Sequence, residues 1–186
     1  MEALGANVSF DGGFIISSLG KEGLKGGLIN FPKVSVGATE SAIMTAVLAK
    51  GETKILNAAR EPEVSDLANC LNKAGADIKG IGTDILIING VKELNKVSHS
   101  VVSDRIEAGS FAIASSITRG NVEINNINPK NLTEFINVLK LTGSKIEIFN
   151  NSMMLELKTK MEIKVLGYLK NKDYEKWSSD IKILSN

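Results

Sequence analysis

The chain has 186 residues, with 22 basic and 21 acidic side chains, a formal net charge of +1, one cysteine and one histidine. That balance excludes a strongly basic nucleic-acid arm, and a single cysteine excludes an internal disulfide or a cysteine-rich metal centre. No apolar run of roughly 18 residues is present, and no basic segment followed by a long apolar core, so the expectation is a cytoplasmic globular protein without nucleic-acid or membrane partners.

Residues 1–5 read as the last turn of a helix closed by Gly5. A hairpin follows, 7–10 with 13–16, around the strong turn pair Asp11-Gly12. The Gly- and Lys-rich stretch 20–27 reads as a turn before an apolar strand, 27–31. That strand leads through Pro32-Lys33-Val34-Ser35-Val36-Gly37 into a helix over 38–49, with Ala42, Ile43, Ala46, Val47 and Ala49 apolar. A strand at 53–57 comes next. Pro62 opens a second helix, with Val64, Leu67, Ala68 and Leu71 on one face, and a hairpin pairs Ile78 with 85–88. A third passage begins with a helix over 104–119, where Asp104 and Glu107 have capping-box-like spacing. It continues with strand 122–126, a helix opened by Pro129 and a hairpin of 145–149 with 153–157.

Gly5, Gly75 and Gly143, each closing a helix, recur roughly every 70 residues, and Gly51 and Gly120 keep the same period. The fold class expected is α/β, built from about two and a half repeated βαβαββ units, the first without its front half. The predicted organisation is 1–97, an extended polar crossing at 98–103, a further unit at 104–157, and a divergent Lys-rich tail at 158–186. Tyr168, Tyr174 and Trp177 fall in that tail.

The turn from strand 27–31 into the next helix is the leading site candidate. A helix start offers unpaired amides and a positive dipole end to an anion, and Lys33 and Ser35 add a charge and a hydroxyl. Many such turns bind nothing. Arg60, Glu61 and Glu63 begin the next helix. The equivalent Asn126-Ile127-Asn128-Pro129 keeps Asn and Pro but not these charges, so the fold of the unit does not require them. The alternative is that Glu61 and Glu63 merely favour a helix start, with Arg60 paired to one of them. Asp104, Arg105 and Glu107 form a third cluster, whose plain reading is a capped helix start. Cys70 reads as a packed thiol, and His99, without acidic or cysteine neighbours in sequence, is given no chemistry. No phosphate-loop, dinucleotide or zinc-protease motif is present, and no cofactor or metal is expected.

Lys33-Val34-Ser35-Val36-Gly37-Ala38-Thr39, Asn57-Ala58-Ala59-Arg60-Glu61-Pro62-Glu63, Gly82-Thr83-Asp84 and Asp104-Arg105-Ile106-Glu107-Ala108-Gly109 together resemble the UDP-N-acetylglucosamine 1-carboxyvinyltransferase family. The sister enolpyruvylshikimate-phosphate synthases resemble these motifs less. The resemblance covers roughly residues 1–157. It implies an inside-out barrel of two lobes, with 98–103 as the hinge between them. It implies UDP-sugar contacts from Lys33, Val34, Ser35, Val36 and Gly37, with Arg60, Glu61, Glu63, Asp104, Arg105 and Glu107 near the cleft or hinge. The family's catalytic cysteine lies in a Gly-rich loop that has no counterpart here, and Cys70 does not match it. The resemblance therefore predicts an internal fragment, inactive alone and without catalytic residues of its own. Such a fragment would be a UDP-sugar-binding piece completed by a partner chain, or a poorly folding remnant with uncovered helix faces. Phosphoenolpyruvate would bind only in a complete enzyme.

Overall fold

Period-two alternation fixes the sheets. Along β4 (Glu52–Leu56) Thr53 and Ile55 are buried, and along β6 (Ile85–Asn89) Leu86 and Ile88 are buried, while Glu52, Lys54 and Ile85 are exposed. The sheet that contains these two strands therefore has one apolar face, on which helices must lie. The computed structural model describes residues 1–156. They divide into two units, Met1–Val102 and a second that begins at Ser103.

The first unit starts with a short 3₁₀ turn, Glu2–Leu4, and a hairpin, β1 (Asn7–Asp11) with β2 (Phe14–Ser18). A complete repeat follows: β3 (Leu28–Asn30), α1 (Val36–Ala46), β4, α2 (Pro62–Lys73), β5 (Asp77–Lys79) and β6. Its sheet has the order β3-β4-β6-β5, with β3 parallel to β4 and the other pairs antiparallel. Ile43, Ala46 and Val47 of α1 and Val64 and Ala68 of α2 pack with Ile55, Ile78, Leu86 and Ile88 in one core, which also takes in Leu4, Ala58 and Ala59. Gly90 marks a close approach: a Cβ there would stand 1.5 Å from the Ala49 carbonyl oxygen.

The second unit contains α3 (Arg105–Thr118), β7 (Asn121–Asn125), a 3₁₀ turn Pro129–Leu132, α4 (Thr133–Leu141), β8 (Lys145–Ile148) and β9 (Ser152–Glu156). Its sheet order is β7-β9-β8. The core is Ala108, Ala112, Ile127, Leu132, Ile136, Leu139, Ile146, Met153 and Leu155. No counterpart of β3 precedes α3 among the described residues.

The repeat read from glycine spacing is the observed architecture, an α/β fold, with corrections at element ends. The first long helix starts at Val36 rather than 38 and stops at Ala46, because Ser35 caps it. Pro129 opens a 3₁₀ turn, and α4 proper begins at Thr133. Apolar side chains are exposed on helices, including Met44 on α1 and Phe111 and Ile117 on α3. The tail expected at 158–186 lies outside the described residues.

Candidate functional site

Two segments of the first unit are joined through one hydroxyl. Thr39, in the first turn of α1, is fully buried. Its Oγ1 donates to the Ser35 carbonyl at 2.7 Å and accepts from the Ala59 amide at 3.0 Å. The start of α1 is thereby tied to the loop that follows β4. Asn57 opens that loop in the left-handed region, at φ 57°. Its Nδ2 donates to the Phe31 carbonyl at 2.9 Å, and the Ala58 amide donates to the Asp84 carbonyl at 3.0 Å. The second unit repeats part of this: Asn126 has φ 58°, and the Ile127 amide donates to the Asn151 carbonyl at 3.2 Å. Asparagine recurs because its short polar side chain tolerates the left-handed conformation.

The result is an open cleft of about 420 Å³, lined by Val34, Asn57, Ala58, Arg60, Glu61 and Asp84. Arg60 is exposed on its rim. Glu61 precedes α2 without capping it through its side chain, and its Oε2 is buried with no hydrogen-bond partner among the described residues. A buried acceptor left unpaired is costly, so this oxygen is an open position for a donor. Glu63 lies in the first turn of α2, where a negative charge favours the helix dipole.

Of the five residues expected to face a nucleotide, only Val34 lines this cleft. Ser35 acts as the cap of α1, its Oγ accepting from the Ala38 amide at 3.3 Å. Its hydroxyl proton remains able to reach an outside acceptor. The amides of Val36 and Gly37 have no acceptor within the helix, and Lys33 is exposed immediately before the cap. The cap and the cleft are thus adjoining surfaces, held in register by Thr39 and Asn57. Sequence reasoning gave neither residue a role. The signals available were a threonine four residues after a capping serine, and the Asn57/Asn126 equivalence.

Asp104, Arg105 and Glu107 belong to the second unit. Asp104 caps α3, its Oδ1 accepting from the amides of Ile106 at 2.8 Å and Glu107 at 3.0 Å, as its spacing predicted. Arg105 lines a separate cavity of about 490 Å³ together with Ile106, Gly109, Ser110, Lys130 and Phe135.

His99 has its partner outside its local sequence. Its Nε2 is 3.0 Å from Asp66 Oδ1, whose other oxygen accepts from the Val102 amide at 3.3 Å, and Lys73 Nζ is 3.5 Å from Nδ1. The partner that is absent in local sequence comes from α2, 33 residues away. These groups border a hollow of about 650 Å³. The hydrogen-bonding capacity of His99 and Asp66 is spent on one another and on the backbone, so the arrangement fastens segment 99–102 to α2 rather than presenting free ligands.

Fold and cleft together define a class: a repeated α/β protein in which a capped helix start and the loop after β4 form one polar surface. The family model described as EPSP synthase (3-phosphoshikimate 1-carboxyvinyltransferase) matches residues 1–172. A UDP-N-acetylglucosamine 1-carboxyvinyltransferase of Acidiphilium cryptum is 57% identical over 122 residues, covering 66% of this chain and 29% of that protein. The namesake from Zymomonas mobilis is 46% identical over 156 residues, covering 84% and 37%. That of Geotalea uraniireducens is 42% identical over 181 residues, covering 97% and 42%. The similarity therefore continues past residue 157. Among solved structures, the enolpyruvyl transferase NikO from Streptomyces tendae superposes with a TM-score of 0.75 at 19% identity, over 86% of this chain and 41% of that one. EPSP synthase from Acinetobacter baumannii gives 0.59 at 23%, over 87% and 40%.

The chain belongs to the EPSP synthase family of enolpyruvyl transferases. It spans between 29% and 42% of the length of these curated relatives, all three of which are UDP-N-acetylglucosamine 1-carboxyvinyltransferases.

Proposed function

We propose that this chain is part of an enzyme that transfers enolpyruvyl from phosphoenolpyruvate to the 3′-hydroxyl of UDP-N-acetylglucosamine, in the cytoplasm, at the opening of peptidoglycan synthesis. Within that enzyme it supplies the surface against which the sugar nucleotide lies. The observation that carries this reading is the capped start of α1, with Lys33 and the free Val36 and Gly37 amides beside the cleft of Val34, Arg60 and Glu61. The amides and Lys33 suit the diphosphate, since a helix start favours negative charge. The unpaired Glu61 oxygen suits a hydroxyl or amide donor of the ligand. Segment 98–103 serves as a hinge between the two units.

The reaction adds the sugar hydroxyl to the central carbon of phosphoenolpyruvate, protonates its methylene carbon, then eliminates phosphate. It needs an acid, a base and several cations about the phosphate. The described residues provide no such set. Cys70 is half-buried within α2 and is not placed to act as the acid. The isolated chain therefore binds and does not turn over. The names of the relatives favour UDP-N-acetylglucosamine over 3-phosphoshikimate as the ligand.

Calorimetric titration with UDP-N-acetylglucosamine tests the reading. Measurable binding is expected, and Lys33→Ala should weaken it about tenfold or more, since a hydrogen bond to a charged group contributes about 1.5–3 kcal/mol. Phosphate release with both substrates should stay at background. Binding unaffected by Lys33→Ala would overturn the assignment of this surface.

A further inference from the structure

Among the described residues, 90–104 connect β6 to α3 without helix or strand, yet much of this connection is fastened to the first unit. The Gly90 amide donates to the Gly51 carbonyl at 3.0 Å, and the Val91 amide to the Val47 carbonyl at 2.8 Å. Leu94 packs against the core. The Asn95 amide then donates to the Ala74 carbonyl, at the end of α2, at 2.7 Å. From there the chain runs back along α2 against its direction. His99 meets Lys73 and then Asp66, and Val102 reaches Asp66 as well.

This last fastening depends on side chains. Asp66 uses both carboxylate oxygens, Oδ1 on His99 Nε2 at 3.0 Å and Oδ2 on the Val102 amide at 3.3 Å. The His99 side chain is 11% exposed and that of Asp66 21%, so water competes poorly for either. The neighbours also select the form of the imidazole. A carboxylate accepts, and an ammonium only donates. Nε2 therefore carries the proton that faces Asp66, and Nδ1 offers its lone pair to Lys73 Nζ at 3.5 Å. With donors from residues 99 and 102 on one carboxylate, the segment between them is closed onto the helix.

We propose that Lys73, His99 and Asp66 form a latch that makes 99–102 a strap of the first unit, so that bending along the connection begins after Val102. The proposal rests on the reading of 98–103 as a hinge and narrows it. Opening the latch frees the chain back to Asn95, whose bond to Ala74 needs none of the three side chains. A longer free connection costs more entropy to hold in one arrangement, so the latch keeps the joint short.

Amide exchange in the full chain tests the latch. His99→Ala and Asp66→Ala should each speed exchange of the Val102 amide about tenfold or more, the scale of a lost hydrogen bond to a charged group, with an unchanged far-ultraviolet spectrum. The Asn95 amide should change less than about twofold, because it is fastened separately. His99→Gln, whose side-chain amide still donates to Asp66, should recover most of the protection. The chain has one histidine, so nitrogen NMR reads its ring directly and should place the proton on Nε2. Unchanged Val102 exchange in both alanine variants, equal acceleration at Asn95, or a proton on Nδ1 would overturn the latch. Small-angle scattering reads the hinge separately, and His99→Ala should broaden the spread of distances between the two units. Released Val102 exchange without that broadening would overturn the hinge reading of 98–103, and the proposal with it.

Discussion

Replacing Thr39 by valine isolates the hydroxyl that joins the two halves of the candidate site. Valine keeps the shape and removes the acceptor of the Ala59 amide. Ala59 is 2% exposed, so water cannot replace the lost partner. The Ser35 carbonyl is less affected, because it also accepts from the Thr39 amide at 3.0 Å. The cost is therefore that of one orphaned buried amide, about 1–3 kcal/mol. In a unit of this size each kcal/mol lowers the melting temperature by roughly 4–8 °C. Thr39→Ser keeps both hydrogen bonds and loses one buried methyl group, at about 0.8 kcal/mol. Urea denaturation should rank the variants wild type, serine, valine. Hydrogen exchange at Ile43 and Leu86 would confirm that the first unit is the one affected. Valine should also weaken sugar-nucleotide binding, since the loop from 57 to 61 loses its tie to α1. A valine variant as stable as wild type, with serine the worse of the two, would refute the reasoning. The methyl group, and not the hydroxyl, would then be the stabilising feature.

Two further substitutions probe the same frame. Asn57→Ala should cost about 1–3 kcal/mol by urea denaturation, through left-handed strain and an unpaired Phe31 carbonyl. Asn57→Gly should recover the part due to strain. Gly90→Ala drives a Cβ to 1.5 Å from the Ala49 carbonyl oxygen, and overpacking of this kind costs about 1–3 kcal/mol. An unchanged denaturation midpoint for it would mean that the backbone there yields freely.

Much of this architecture is local and therefore legible. Alternation in 52–56 and 85–89 needs only a two-residue period to mark one buried face. Gly5, Gly75 and Gly143 announce the repeat because a left-handed residue after a helix favours a side chain without Cβ, whereas at the end of α3 that conformation falls on Arg119. Asp104 caps α3 through bonds to residues two and three positions away, so its role is visible in the chain itself. Element ends were less legible. Ser35 and Pro129 both mark helix starts, but the balance between α and 3₁₀ geometry depends on what the turn packs against.

The sequence by itself determined the repeat, the strand and helix types, and the polar stretch before α1, because each rests on contacts within a few residues. Only the tertiary structure decided what that stretch adjoins. Thr39 reaches Ala59 across 20 residues, Asn57 reaches Phe31 across 26, and His99 finds Asp66 across 33. Such partners follow from how strands stack into a sheet and helices cover it. No local pattern encodes them, because the hydrogen bonds form only after burial has excluded water and fixed which loops end side by side.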